Sequence, residues 1–163
     1  AFIRGGSLRY RFYKESPMTA GAPANLTPRL AFACALVYCA GADRELTASE
    51  KSYLAIALSG PQPGLDLAGR AESAIATLSA ALEYCREHDV SEFLGAATPL
   101  LNKDQRITIL LNLVDLAFAD GYADMNETAF VHLCQKAFAI PNAEFDGMIE
   151  PILLKNDRRQ FGV

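Results

Sequence analysis

Apolar residues recur along most of this chain at the spacing of amphipathic α-helices. The clearest case lies between residues 64 and 88, where apolar positions follow one another at alternating steps of four and three: Ala71, Ile75, Leu78, Leu82 and Cys85. That spacing predicts one apolar face of a helix. Similar patterns predict five further helices, over 28–41, 48–59, 105–119, 125–139 and 143–155.

Three stretches predict boundaries between these helices. The segment LSGPQPG at 58–64 contains two prolines and two glycines, which cannot continue a helix. A second break is predicted at GAATPLLNKD (95–104), with a helix N-cap at Asn102 or Asp104. A third is predicted at IPNAEF, with Asn142 as the cap. No stretch has the alternating, β-branched character of a strand, so the predicted class is all-α, with six or seven helices.

The predicted helices contain an internal repeat. A shift of 77 residues aligns Asp43 with Asp120 and Glu50 with Glu127. Apolar neighbours align as well: Leu36 with Leu113, Val37 with Val114, Ala42 with Ala119, Tyr53 with Phe130 and Leu54 with Val131. Each unit is an apolar helix, an aspartate at its end, a tight turn and a second helix with an acidic first turn. We expect the two helical hairpins to pack about a pseudo-twofold axis, with their apolar first helices together.

We call the pairs Asp43 with Glu50 and Asp120 with Glu127 the acidic seams, and two interpretations of them stay open. In the first, the acids cap helices. Thr47 and Asp124 each stand three residues before a seam glutamate, which is the spacing of a capping box, and acids in a first turn are favoured by the helix dipole. Capping leaves the two aspartates unexplained, because an acid at the end of a helix opposes the dipole.

In the second interpretation the seams bind metal. An aspartate and a glutamate seven residues apart across a tight turn can converge, and hard cations bind several such oxygens. An EF-hand is excluded, because Leu116 and Phe118 occupy the positions of its first ligands. One unit alone offers few oxygens, whereas two facing units offer four carboxylates.

The segments ALVYCAGADRELTASEKSYL and LVDLAFADGYADMNETAFVHLCQKAFAI resemble the tellurite-resistance TerB family and its TerB-like relatives, over about residues 28–150. The resemblance implies a bundle of seven helices with internal pseudo-symmetry. It also implies a divalent metal site, for Ca²⁺, Mg²⁺, Mn²⁺ or Zn²⁺, with Asp43, Glu50, Asp120 and Glu127 as ligands. A role in stress response or in a membrane-associated assembly follows from the same resemblance, and no catalytic activity does.

The first seam departs from the family pattern. Arg44 stands where the family usually has glycine, and a guanidinium there can pair with Asp43 in place of a cation. His132 follows Glu127 by five residues, about 140° around a helix, so we expect a structural, partly exposed histidine and not a ligand.

Composition narrows the function further. The chain has 163 residues, enough for one domain, and its net charge of −4 gives no reason to expect nucleic acid as a partner. We expect an N-terminal arm over 1–25, a helical domain over 26–156 and a tail over 157–163. The arm contains RYRFYK, and residues 1–17 sum to +3. We favour a disordered leader for this segment, and the alternative is an arm that contacts an acidic partner or a membrane surface.

The four cysteines, at 34, 39, 85 and 134, form no Cys-x-x-Cys pair and fall on apolar positions, which predicts buried free thiols and a reducing cytosol. The longest apolar runs, LAFACALVYCAGA and ILLNLVDLAFA, are too short or too polar to span a membrane, and predict buried core helices.

The sequence contains no phosphate-binding glycine loop and no nucleophile–histidine–acid arrangement with supporting context. We therefore expect a non-enzymatic, cytoplasmic accessory or scaffold protein that binds a protein partner and a divalent cation. The alternative is a constitutive structural subunit of a larger complex with no metal, in which the acids are caps and the basic arm is the docking element.

Overall fold

The computed structural model describes residues 26–41, 46, 48–118 and 125–157, apart from the side chain of Ser49. These ranges contain seven helices: α1 (Pro28–Ala40), α2 (Ala48–Leu58), α3 (Leu67–Glu87), α4 (Val90–Leu100), α5 (Lys103–Ala117), α6 (Met125–Ala137) and α7 (Asn142–Asn156). No strand occurs within the described ranges. The predicted all-α class with about seven helices is confirmed, whereas the pseudo-twofold axis stays a prediction.

Helix α1 lies in the centre of the bundle and contacts α2, α3, α4, α5 and α6. Thr27 caps its start by accepting a hydrogen bond from the Leu30 amide at 3.2 Å, and Pro28 occupies the first turn, where no amide proton is needed. From Ala31 onward nearly every side chain is buried. A helix that is apolar all round belongs inside a protein. No helix in the described ranges is long and apolar enough to cross a membrane.

Helices α1 and α3 run parallel, and hydrogen bonds at both ends fix their register. Near the start of α1, Arg29 Nε donates to Thr77 Oγ1 at 3.0 Å. Near its end, the Tyr38 hydroxyl donates to the His88 carbonyl at 2.7 Å. Residue numbers increase from the first contact to the second in both helices, so the two helices point the same way. Their facing residues therefore meet along the length of the pair.

The predicted apolar face of α3 is wrong in its first half. Ala71 and Ile75 are exposed, Ile75 by 59%, and the buried positions instead include Ala74, Leu78 and Ala81. Both alanines are 0% exposed, and α3 packs against both α1 and α2. Hydrophobic size favours isoleucine as a core residue, but the packing of α3 against these two helices buries the alanines instead.

Helix α4 was not predicted, and the break predicted at 95–104 is wrong in its first half. The helix begins with a capping box in which the Glu92 amide donates to Asp89 Oδ1 at 2.9 Å and the Asp89 amide donates to Glu92 Oε2 at 3.0 Å. It continues through Pro99 and ends at Leu100. Proline is tolerated there because only one helical residue follows it, so no later turn depends on the distorted one.

Of the two predicted caps for the next helix, Asn102 is the N-cap of α5. Its side chain accepts from the Gln105 amide at 2.9 Å, and the Gln105 side chain accepts from the Asn102 amide at 3.0 Å. Asp104 lies in the first turn of α5. The capping-box spacing in the sequence therefore identifies both this start and the start of α4.

The prediction that Asn142 caps α7 is wrong. Pro141 occupies the N-cap position, and no side chain caps this helix. Asn142 Oδ1 instead accepts a hydrogen bond from Gln135 Nε2 at 2.8 Å. Gln135 is 5% exposed, and its amide also donates to the Ile140 carbonyl at 3.2 Å. The Asn142 side-chain oxygen, which would have capped the helix, accepts from the buried Gln135 amide instead. Leaving that buried amide without a hydrogen-bond partner would be costly.

Two arginines 77 residues apart close the two hairpins in the same way. In the hairpin of α1 and α2, Arg29 Nη2 donates to the carbonyl of Leu58, the last residue of α2, at 3.5 Å. In the hairpin of α5 and α6, Arg106 Nη1 donates to the carbonyl of Phe138, which follows the last residue of α6, at 3.3 Å. Free carbonyls at a helix end are acceptors in need of a donor. The two acceptors lie 80 residues apart, so the shift of 77 holds for the arginines and not for the carbonyls that they bind.

Candidate site at the acidic seams

The structure describes one member of each acidic seam. Glu50 is the third residue of α2 and Glu127 is the third residue of α6. Both side chains are half-buried, and each has an interaction partner in the structure. Asp43 and Asp120 lie outside the described residues. Both glutamates occupy a first turn, where the helix dipole favours a negative charge, which suits capping and cation binding alike.

The predicted capping partners Thr47 and Asp124 lie outside the described residues, as do Arg44 and Gly121. Gly41 is the C-cap of α1 and precedes the first seam in the chain. Its φ of 132° is a backbone conformation that favours glycine. The chain returns to the core at Leu46, which is 6% exposed.

The helices that lead into the two seams touch close to their ends. Cys39 is the penultimate residue of α1, and Leu113 lies one turn before the end of α5. The Cys39 Sγ is 3.9 Å from the Leu113 carbonyl oxygen. In addition, the ring of Tyr38 packs against the ring of Phe130 on α6, with centroids 6.1 Å apart. The expected contact between the two apolar first helices is therefore present, and Phe130 lies one turn after Glu127.

The described residues contain no group of three or more histidine, cysteine, aspartate or glutamate side chains arranged to hold a metal ion. Two of the four predicted ligands, Asp43 and Asp120, lie outside that part of the chain. The metal site therefore stays a prediction. The donor chemistry of the two described members suits a hard cation, since carboxylate oxygens are the ligands that Ca²⁺ and Mg²⁺ prefer.

His132 does not take part in either described half of the seams. Its side chain is exposed, and its Nδ1 lies 3.3 Å from Gln135 Oε1. The ring also makes an edge contact with Phe145 of α7, with centroids 6.2 Å apart. These contacts agree with the predicted structural histidine.

A charged cluster on α5 and α7 joins residues far apart in sequence, and no spacing along the chain indicates it. Asp115 accepts hydrogen bonds from Lys155 Nζ and from Asn156 Nδ2, each at 2.8 Å. Burial raises the pKa of Asp115, but the bonds from Lys155 and Asn156 outweigh burial, so the pKa lies below its ordinary value. Burial, followed by the charge of the nearby Asp115, raises the pKa of Tyr53 above its ordinary value. The cluster fastens the end of α7 to the last turns of α5.

We expect Asp115 to contribute to the loss of stability in acid. Its folded pKa lies below the unfolded value, so its contribution is present above the unfolded pKa and is lost as the pH falls through the folded one. Replacing Asp115 with asparagine should flatten the pH dependence of the urea midpoint below about pH 4. The control is Asp146→Asn, an exposed acid on α7; equal flattening in both variants would contradict the assignment.

The family model described as "Tellurite resistance protein TerB" matches residues 29–149. That range is close to the 28–150 over which the resemblance was expected. The comparisons with curated proteins and with solved structures gave no match.

Proposed function

The chain belongs to the tellurite resistance protein TerB family, and from this premise we propose that it is a non-enzymatic accessory or scaffold protein of the cytoplasm. In this proposal it serves a stress response or a membrane-associated assembly and binds a protein partner. Its acidic seams hold a divalent cation, with Asp43, Glu50, Asp120 and Glu127 as the ligands.

One observation supports the seams as a shared site. Glu50 and Glu127 occupy the same place in two hairpins, the third residue of the second helix, and both are half-buried. The last turns of α1 and α5, which precede the seams, are in contact through Cys39 and Leu113. Carboxylates gathered near one another repel, and a divalent cation offsets that repulsion while binding their oxygens.

The chain's own residues suggest how binding would affect a partner surface. Arg29 and Arg106 hold the far ends of the two hairpins closed through the carbonyls of Leu58 and Phe138. Glu50 and Glu127 lie toward the opposite ends, in the first turns of α2 and α6. A cation shared by the two seams would favour one arrangement of the hairpins, because a ligand that binds only one arrangement shifts the population toward it.

The experiment that tests this proposal is a calorimetric titration of chelator-treated protein with Ca²⁺, Mg²⁺, Mn²⁺ and Zn²⁺. We expect saturable binding of one of these ions, and a rise in melting temperature with its concentration, because a ligand bound only by the folded state stabilises it. Both effects should vanish in the double variant Asp120→Asn, Glu127→Gln.

A matched control removes the same charge elsewhere. Glu72→Gln with Glu83→Gln changes two exposed acids of α3, and this variant should bind the ion as the unmodified protein does. Binding by none of the proteins would leave the seam acids as helix caps. In that case Glu127→Gln should cost only the dipole contribution, about 0.3–1 kcal/mol, and the metal-free structural subunit would be the better description.

A further inference from the structure

Two cysteine thiols meet at the interface of α1 and α3. Cys34 is 0% exposed and Cys85 is 2% exposed. The Cys85 thiol lies 3.9 Å from the carbonyl oxygen of Cys34. The neighbouring Cys85 thiol, together with burial, raises the pKa of Cys34 well above its ordinary value. None of the four cysteines forms a disulfide in the described part of the chain.

The thiol pair lies in a buried polar cluster that is incompletely satisfied. The Tyr38 hydroxyl donates to the His88 carbonyl at 2.7 Å, but the Tyr84 hydroxyl is buried without a hydrogen-bond partner. Tyr84 is 8% exposed, and its ring stacks on the His88 ring with centroids 4.2 Å apart. Burial, followed by the nearness of Cys34 and Cys85, raises the pKa of Tyr84 above its ordinary value. An unsatisfied polar group in a native core points to a strained, redox or ligand-binding position.

Hydrogen bonds on both sides of Cys34 hold α1 in register with α3. Cys34 lies between Arg29 and Tyr38, the two α1 residues whose hydrogen bonds fix the register against α3. Ala81 and Cys85 are both buried and lie four residues apart on α3, so they share one face of the helix. A disulfide requires Cα atoms about 4.4–6.8 Å apart, and the 3.9 Å between the Cys85 thiol and the Cys34 carbonyl oxygen marks the point where the two residues come near each other.

We propose that Cys34 and Cys85 form a redox modification site, which a hydroperoxide oxidises to an intrachain disulfide that fixes α1 against α3. One thiol loses its proton and attacks a peroxide oxygen; the O–O bond breaks, and a sulfenic acid and water form. The sulfur of the second thiol then attacks the sulfenic sulfur, the S–O bond breaks, and a second water leaves. The two thiols lose two protons and two electrons, and hydrogen peroxide is reduced to two waters.

Burial controls the rate of this reaction. The thiolate is the reactive form, and a buried thiol with a raised pKa is inert until the structure opens locally. The pair therefore responds to sustained oxidant and not to brief exposure. Once formed, the disulfide lies in the same buried interface, and it restrains the unfolded chain by joining residues far apart in sequence.

The test uses the full chain in its reduced form, exposed to hydrogen peroxide in native buffer. Remaining thiols are alkylated after denaturation, and non-reduced peptides are mapped by mass spectrometry. We expect two of the four thiols to be lost, with Cys34 joined to Cys85 as the dominant cross-link. The oxidised protein should melt at a higher temperature than the reduced one, and a dithiol reductant should reverse both changes.

Variants define what supports or overturns the proposal. Cys34→Ala and Cys85→Ala should each abolish the cross-link, whereas Cys134→Ala, which removes another buried thiol, should retain it. If either alanine variant fails to fold, as judged by circular dichroism, the peptide map of the unmodified chain decides alone. The proposal is overturned if the folded chain yields no Cys34–Cys85 peptide, or yields Cys39–Cys134 or a mixture of pairs in its place.

Discussion

Replacing Phe93 with alanine is expected to lower the free energy of unfolding by about 3–5 kcal/mol. Phe93 is 0% exposed, and its ring lies 5.2 Å from that of Tyr38 and 6.4 Å from that of Tyr84, measured between centroids. The substitution removes a large apolar side chain at the meeting point of α1, α3 and α4, and the surrounding helices cannot close the cavity. Urea unfolding followed by circular dichroism measures the change.

The control for this prediction is Ile75→Ala. Ile75 is also a large apolar helical residue, but it is 59% exposed, so its truncation should change the free energy by no more than about 0.5 kcal/mol. Phe93→Leu, which keeps most of the volume, should fall between the two. Equal losses in Phe93→Ala and Ile75→Ala would contradict the described packing of both α3 and α4.

Replacing Arg106 with methionine is expected to cost about 2–4 kcal/mol. The guanidinium donates to three carbonyls: Thr98 and Leu101 at the end of α4, and Phe138 just after α6. Methionine keeps the apolar stem but leaves these acceptors without a charged donor, and a hydrogen bond to a charged group is worth more than a neutral one. The loss should appear as a lower urea midpoint with an unchanged slope.

Lys136→Met provides the control for Arg106. Lys136 is an exposed cation in the last turn of α6, so its loss removes the same charge from the same end of the hairpin. We expect a change of less than about 1 kcal/mol, which is the scale of a helix-dipole contribution. A loss as large as that of Arg106→Met would indicate a general charge effect and contradict the role assigned to the three carbonyls.

The sequence contained enough local information to predict most of the helices. The proline- and glycine-rich segment at 58–64 ends α2, and the Asn102 capping box starts α5, because both signals act within one turn. The start of α4 carried an equally local signal in Asp89 and Glu92, which the sequence analysis did not use.

For the candidate site, the sequence identified the repeated acids and the family to which the chain belongs. It placed Glu50 and Glu127 at equivalent starts of two helices, and the structure agrees for both. Asp43 and Asp120 lie outside the described residues, so the calorimetric titration is the test of the cation site. The contact between Cys39 and Leu113 that brings the two seam-bearing hairpins together arises from packing between distant helices, and a spacing along the chain cannot specify it.

The sequence by itself determined the helical class, the duplicated hairpin pattern and the burial of the four thiols, because periodicity, capping and hydrophobicity act locally or through composition. Only the tertiary structure decided which face of α3 is buried, and that Cys34 meets Cys85. Both depend on how closely two helices approach, which is set by side chains on each of them together. The same holds for Arg29 and Arg106, whose acceptors lie far away in sequence and are brought near only by the closed hairpins.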